Sequence, residues 1–390
     1  MTAAFRLRCD PRHCRGAIIF MVFLCSGSVS SSVELIDLYS VTIPVDSELQ
    51  QERLLASQKA LETVFIRVTG DNDALERFPF LAAKISSANQ LLTSYSYFQD
   101  TVESHSDTAT QSKNNDKLTD LVDLTEKPSQ LMAEFVFKPQ AVKQLLFTAS
   151  APFWQASRPE VLVWLVTQEG ATRQIINDQV SPYHFGLLSQ AARFRGIPIA
   201  QPLLDLEELS AIDKNDIWSL SIDKIEASSE RYSHGAVLAG KISRANAGQW
   251  HGEWTLIYQG SYFRRYFSGT DLVEFSQLGI DLVADKMAED YAVVTSKNTV
   301  DQQWLIKVDG INSLNDFTRL TRSLRSVPAL ETIRLHSVSK SRCYFYLDAL
   351  VDLQKIEALL ELNESLILQS PKGLISNTNR AGLHYVWREQ

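Results

Sequence analysis

The amino-acid sequence predicts a mixed α/β (α+β) protein, three small mixed-sheet modules in series. Three observations carry that expectation. The chain has 390 residues, too many for one typical domain and enough for two or three. Segments with the two-residue period of strands are interleaved with segments of helical period. Residues 158–291 alone hold enough elements for one compact domain, in the order β-α-β-α-β-β-β-α. A composition 45% hydrophobic and 22% charged is that of an ordinary globular protein.

The first thirty residues are predicted to be an export signal (1–30). Arg6, Arg8, Arg12 and Arg15 make a basic start, and residues 16–25 (GAIIFMVFLC) form a short apolar run. A membrane span takes about twenty such residues. Ser28 and Ser30 place cleavage before Ser31. Cys25 opens the alternative of a lipid anchor, the one route to membrane association, although Leu24 precedes it where a lipoprotein signal carries a small residue. Cleavage removes Cys9, Cys14 and Cys25 and leaves Cys343 by itself, so no internal disulfide is expected. It also removes four arginines and one aspartate, taking the net charge from −8 to near −11. A chain this acidic is not expected to bind nucleic acid or anionic lipid, since both want a basic surface.

The first mature module covers 31–150. LYSVTIPV (38–45) alternates like a strand. Ser47 followed by Gln50 has capping-box spacing and predicts a helix start, with Leu54, Leu61, Val64, Phe65 and Val68 as the apolar stripe and Gly70 as the stop. Asp71 or Asp73 can cap a second short helix that Pro79 interrupts. LLTSYSYF (91–98) and LMAEFVF (131–137) are strand-like, and Pro139 opens another helix. Between the two strands, residues 99–129 are polar and aperiodic, which predicts a mobile connection.

The central domain (158–293) opens on RPEVLVWLVTQEG, an apolar, β-branched run with the look of a buried central strand. Ser181, Pro182 and Gly196 stand at the N-cap, first position and stop of a helix whose Phe185, Leu188, Ala192 and Phe194 or Arg195 mark the buried boundary. GIPIAQPLL follows, and its two prolines predict an edge position or an early end. An acidic stretch (205–218) leads to a helix and then to three successive strands. In the second of these, Trp250, Gly252, Trp254, Leu256 and Tyr258 share one face, with His251, Glu253 and Thr255 on the other. A long amphipathic helix closes the domain, with Leu272, Phe275, Leu278, Leu282 and Met287 or Ala288 toward the sheet.

The last module (300–390) has the order β-α-β-β-α-β with further strand at its end. DQQWLIKVDGI alternates, and Ser313 with Asp316 makes a capping box before Leu314, Phe317, Leu320 and Leu324 at helical spacing. ETIRLHSV and RCYFYLDA form a hairpin around Lys340, LQKIEALLEL is a helix, and ESLILQS with GLHYVWRE supplies the last strands. That order is ferredoxin-like.

Six ordered blocks carry a family resemblance: VFIRVTGD (64–71), RPEVLVWL (158–165), RFRGIPIAQPLLDLE (193–207), DIW (216–218), AVLAGKI (236–242) and the Trp250/Trp254 pair. On these the chain resembles the exported bacterial proteins catalogued as domain of unknown function 2066, over roughly residues 38–291. The element order of the central domain is also similar to the N-terminal domain of the Tol system's periplasmic propeller protein, to activator lipoproteins of peptidoglycan synthases and to the middle domain of flagellar T-ring proteins. Those domains bind other envelope proteins, which is what the resemblance implies here. The first family has no assigned activity and brings no catalytic residue with it.

Each candidate site has a plainer reading beside it. Arg264 and Arg265, among Tyr262, Phe263, Tyr266 and Phe267, face opposite sides of a strand and cannot form one basic patch. Asp205, Glu207, Glu208, Asp213 and Asp216 could hold Ca²⁺, but lack the spaced ligands and glycine of an EF-hand loop, and a helix-capping acidic stretch explains them better. TGDND (69–73) reads as helix stop followed by helix start. His105, His184, His234, His251, His336 and His384 are scattered and none pairs at metal-ligand spacing. No catalytic, cofactor-binding or metal residue is therefore assigned. The expectation is a periplasmic protein-binding or scaffolding component whose partner is another envelope protein. The alternatives are a glycan hydrolase or transferase with a site at the strand ends near Trp164 and Thr167, and a small-ligand sensor using the C-terminal module.

Overall fold

The computed structural model describes residues 37–101, 129–232, 234–245, 248–294, 302–327, 330–349, 351, 353–362, 365–374 and 381–388. The predicted export signal, Cys25, the cleavage position before Ser31, His105 and most of the 99–129 connection lie outside the described residues. The architecture is mixed α/β with separate sheets.

In the first module β1 (Ser40–Pro44) leads to α1 (Gln50–Thr69), the short helices α2 (Ala74–Arg77), α3 (Pro79–Lys84) and α4 (Ala88–Leu91), then β2 (Leu92–Thr101), β3 (Ser129–Phe137) and α5 (Pro139–Ala149). The strands form an antiparallel sheet in the order β1-β3-β2. Leu61, Val64, Phe65 and Val68 of α1 bury against Phe135 and Phe137 of β3 as the period predicts. Leu54 stays exposed. The expected capping box is not made. Leu49 is the N-cap, without a side-chain bond, and the Ser47 hydroxyl accepts the Leu49 amide before the helix begins. The strands run three residues further into the predicted connection at its start, and one at its end, because each backbone pairs across to Thr101↔Ser129.

A two-residue pair, β4 (Pro152–Phe153) with β11 (Val293–Val294), brackets the central domain. Within it run β5 (Val161–Glu169), β6 (Thr172–Ile175), α6 (Pro182–Arg195), β7 (Ile199–Ala200), α7 (Leu206–Ala211), α8 (Lys214–Trp218), α9 (Ile222–Ser229), β8 (Ala236–Arg244), β9 (Trp250–Tyr258), β10 (Ser261–Gly269) and α10 (Leu272–Tyr291). The sheet order is β10-β9-β8-β5-β6, with β7 beside the start of β5. One face packs on α6 and α10 through Val163, Leu165, Leu238, Trp254 and Phe275. The other packs on α8 and α9 through Leu162, Trp164, Val166, Ile217 and Ile225. Both faces of β5 are therefore covered, which is why it reads as an unbroken apolar run. β6, hairpinned onto β5, is absent from the sequence reading because TRQI is too short and polar to carry a period. The prolines of GIPIAQPLL do end their strand early, after two residues.

The C-terminal module has β12 (Gln302–Asp309), α11 (Leu314–Ser326), β13 (Leu330–Ser339), β14 (Arg342–Ala349), α12 (Leu353–Glu361), β15 (Leu366–Leu374) and β16 (Ala381–Trp387). Its order, β13-β14-β12-β16-β15, keeps the ferredoxin-like arrangement of the first three strands. A fifth strand, β16, is inserted parallel to β12 and moves β15 out to the edge. The Ser313/Asp316 capping box forms as predicted, and Cys343 is buried on β14.

Three arginines tie the first module to the second. α1 and α6 both end in left-handed glycines, Gly70 (φ 72°) and Gly196 (φ 68°). A Cβ on Gly70 would lie 2.6 Å from that of Ala288 on α10 and 2.8 Å from the Trp154 ring, so only glycine permits both the turn and the contact. The Arg158 side chain donates to the carbonyls of Arg67, Trp154 (3.3 Å), Gln155 (3.1 Å), Arg195 (3.0 Å) and Gly196 (2.8 Å). It also stacks on Trp154, 3.9 Å from the ring. Arg195, almost fully buried, reaches back to the Gly70 carbonyl at 3.0 Å and pairs with Asp281 and Asp285 of α10. Arg67 donates to the Ser40 carbonyl at 2.6 Å.

Replacing Arg158 by Met is expected to lower stability by about 3 kcal/mol or more, because five carbonyls lose a charged donor at once. Arg158→Lys should recover little of it, since one ammonium lacks the planar fork that spans them. Thermal or urea denaturation checks both.

Candidate functional site

A depression of about 560 Å³ lies along the outer side of β6, lined by Arg173, Ile175, Val180, Leu203, Leu209 and Lys214 among others. β6 is an edge strand. The Ile176 amide donates to Leu165 at 2.7 Å, and Ile176 and Leu165 lie opposite each other in the ladder that pairs Val166 with Ile175. In an antiparallel ladder hydrogen-bonded pairs alternate with non-bonded ones. The backbone groups of Arg173 and Ile175 therefore point away from β5, into the depression.

The opposite wall is the segment before α7, and it is held firmly. The Leu203 amide donates to the Tyr232 hydroxyl at 2.9 Å, and that hydroxyl donates in turn to the buried Glu208 carboxylate. The Leu204 amide donates to the same carboxylate at 2.6 Å. Burial, and then Glu208, push the Tyr232 pKa up to about 12, so its hydroxyl stays a donor. Leu204 has φ +53°, a conformation that costs a non-glycine residue roughly 1–2 kcal/mol. The outcome is a rigid loop with leucines facing water: Leu203 is 67% exposed, Leu206 87%, and Leu209 and Val180 about half. Exposed apolar residues grouped beside a groove mark interaction surfaces.

The acidic stretch is spent on local structure. Asp205 caps α7 and forms a two-bond pair with Arg231, whose hydrogen bonds hold the carboxyl below its usual range. Asp213 and Asp216 form the capping box of α8, and Asp216 also pairs with Lys224 at 2.6 Å. Glu207 is exposed. Among the described residues no three His, Cys, Asp or Glu side chains converge as metal ligands.

The remaining sequence candidates are dispersed. Thr69 bonds the Phe65 carbonyl, Gly70 stops α1, and Asp71 accepts the Asp73 amide and pairs with Arg77, so TGDND is a helix-to-helix joint. Arg264 faces Glu253, while the neighbouring Phe263 and Phe267 pack toward α10 on the other side of the strand. His184 bonds Ser181 at 2.7 Å, which diverts that hydroxyl from capping α6. His234 is pushed down by burial, His251 is exposed, and His336 lies 4.7 Å from the Tyr346 ring. Trp164 is buried with its indole donating to Ser229, and Thr167 is buried too, so neither faces a cleft at the strand ends. One cluster emerged that spacing could not reveal. His384 of β16 lies 2.9 Å from Asp309 and 3.1 Å from Lys307, both of the parallel neighbour β12. Burial raises the Asp309 pKa, but bonds from Lys307 and His384 outweigh it and leave the carboxyl below its usual range.

Comparison with known proteins adds one family match. Residues 32–155 match the model of a domain of unknown function, DUF8605. This corrects the resemblance drawn from the sequence. The matching family differs from domain of unknown function 2066, and no similarity to the Tol-system protein is found. The blocks that carry the resemblance are explained by packing: VFIRVTGD is the buried end of α1 running into its glycine stop, and RPEVLVWL is a central strand covered on both faces. Short apolar blocks of that kind suit many sheet cores. No curated protein matches the chain. A solved structure described as an uncharacterized protein is similar at 16% identity, covering 34% of this chain and 91% of that one with a TM-score of 0.16.

Tyr232→Phe should cost about 1 kcal/mol and speed hydrogen exchange at the Leu203 amide, leaving the sheet amides protected. The Asp205–Arg231 pair also sets a pH response. Since the folded pKa is depressed, its stabilisation is complete above about pH 4, the unfolded value, and is lost as pH falls through the lower folded value. An acid titration followed by NMR should show the start of α7 loosening only below that point.

Proposed function

We propose that this protein is an exported, periplasmic component of the cell envelope that works by binding another envelope protein. The observation that carries the reading is the rigid leucine-bearing loop facing the open edge of β6. Exposed leucines cost little on a flexible loop, but here Tyr232 and Glu208 hold them out of the core. The basic start and short apolar run of residues 1–25 support export, and among the described residues no helix is long and apolar enough to cross a membrane. A net charge of −8 favours a protein partner over nucleic acid. Trp164 and Thr167, near which the enzyme alternative places its site, are both buried and line no described depression at the strand ends.

N-terminal sequencing of the protein from envelope fractions should give a chain beginning near Ser31. Retention of Arg6 to Arg15 would overturn export, and lipid on Cys25 would place the protein on a membrane. In-cell crosslinking should capture one stable envelope protein, and the same partner should be lost when Leu203 and Leu206 are replaced by serine.

A further inference from the structure

We infer that the β6 groove takes the extended, apolar C-terminal end of a partner chain, added as a strand antiparallel to β6 with its carboxylate against Lys214 and Arg173. The inference rests on the binding reading above and specifies its chemistry.

Three features of the groove select this occupant. The first is backbone. The N–H and C=O groups of Arg173 and Ile175 point into the groove and make no backbone bond there among the described residues. Unpaired edge groups at two alternate residues are met by another strand, whereas a helix has its own groups satisfied internally. The second is the far wall, where Leu203 and Leu209 offer apolar contact to the side chains of such a strand. The third is charge. Arg173 bonds Asn215 at 3.0 Å and Gln168 at 2.7 Å and lies over the Trp218 ring, so it is held in place by neutral partners. Lys214, the residue before Asn215, has no carboxylate partner among the described residues. Asp213 beside it is already committed to the α8 amides. Two cations thus stand at the end of the groove where β6 begins, since Arg173 bonds Asn215 next to Lys214, and Asn177 and Val180 line its other end. A strand whose carboxylate meets these cations must run against β6, which is the antiparallel sense that edge pairing favours.

The test uses the mature protein and nine-residue peptides of alternating valine and serine, read by calorimetry or fluorescence anisotropy. A peptide ending in free aspartate should bind. N-methylation of the alternate amides that face β6 should weaken it about tenfold or more, because each lost donor leaves an edge carbonyl unpaired. Lys214→Glu, an exposed change at a helix N-terminus that suits an acidic residue, should weaken the aspartate peptide and strengthen an amidated peptide ending in lysine. Equal binding of methylated and unmethylated peptides, or no response to the charge exchange, overturns the inference. So does a self-associated protein whose dimer the peptide fails to dissociate. A photo-crosslinker at Leu203 and another at Tyr266, on the opposite sheet edge, separate the two levels of the reading. A partner captured from Tyr266 alone overturns the groove and leaves the binding reading in place. Capture at neither position counts against both.

Discussion

The guanidinium of Arg158 is the constraint on which the rest of the arrangement depends. Helices leave their last carbonyls unsatisfied, and two of the longer helices here, α1 and α6, end close to each other. Each end carries partial negative charge from the helix dipole. Arg158 supplies donors to both ends, and Arg195 and Arg67 complete the set. Cations this close repel one another: burial first, and then Arg67 and Arg195, lower the Arg158 pKa, while burial lowers that of Arg67 against the opposing pull of Asp37. Asp281 and Asp285 on α10, together with the ring of carbonyls, offset that cost. The first module, the closing helix and α6 therefore meet at one polar joint with few alternatives.

That joint also decides where the central sheet can be open. α6 and α10 are fixed against one face, and β9 and β10 complete the sheet on one side. The short α7–α9 run covers the other face from β6 to β9, through Ile175, Ile217, Ile225, Val237 and Ile257. What is left uncovered is the β6 edge. The chain reaches it on a segment whose backbone is anchored by Tyr232 and Glu208, and the strained Leu204 is retained there because its amide bond to Glu208 and the anchored Leu203 determine the path. A protein that needed only stability would bury these leucines or replace them by polar residues.

The acidic residues between 205 and 216 illustrate how local chemistry can pass for a site. Apart from the exposed Glu207, each carboxylate has a local structural task, Asp205, Asp213 and Asp216 at helix starts or with a single cation and Glu208 with the Tyr232 hydroxyl and Leu204 amide, and they do not converge. The Lys307–Asp309–His384 cluster is the reverse case: its members are 77 residues apart at the extreme and meet because β16 inserts beside β12 in parallel.

The fold class, most helix ends and the buried faces are legible in the sequence, because these depend on nearest neighbours: Gly70 and Gly196 after helical stripes, Pro139 and Pro182 at first turns, Ser313 with Asp316, and the alternation in β9. The sequence misplaced the cap of α1, since Ser47 is drawn to the Leu49 amide, and it set Phe194 and Arg195 as equivalent where packing buries the arginine. Long-range packing is what puts Arg195 inside, makes TRQI an edge strand, parts β12 from β15 with β16, and leaves Leu203 and Leu206 in water. The physical reason is common to all four. Each is fixed by groups far along the chain, such as Asp281 for Arg195 and Tyr232 for Leu203, and a periodicity or cap signal reads only the residues within one or two turns of itself.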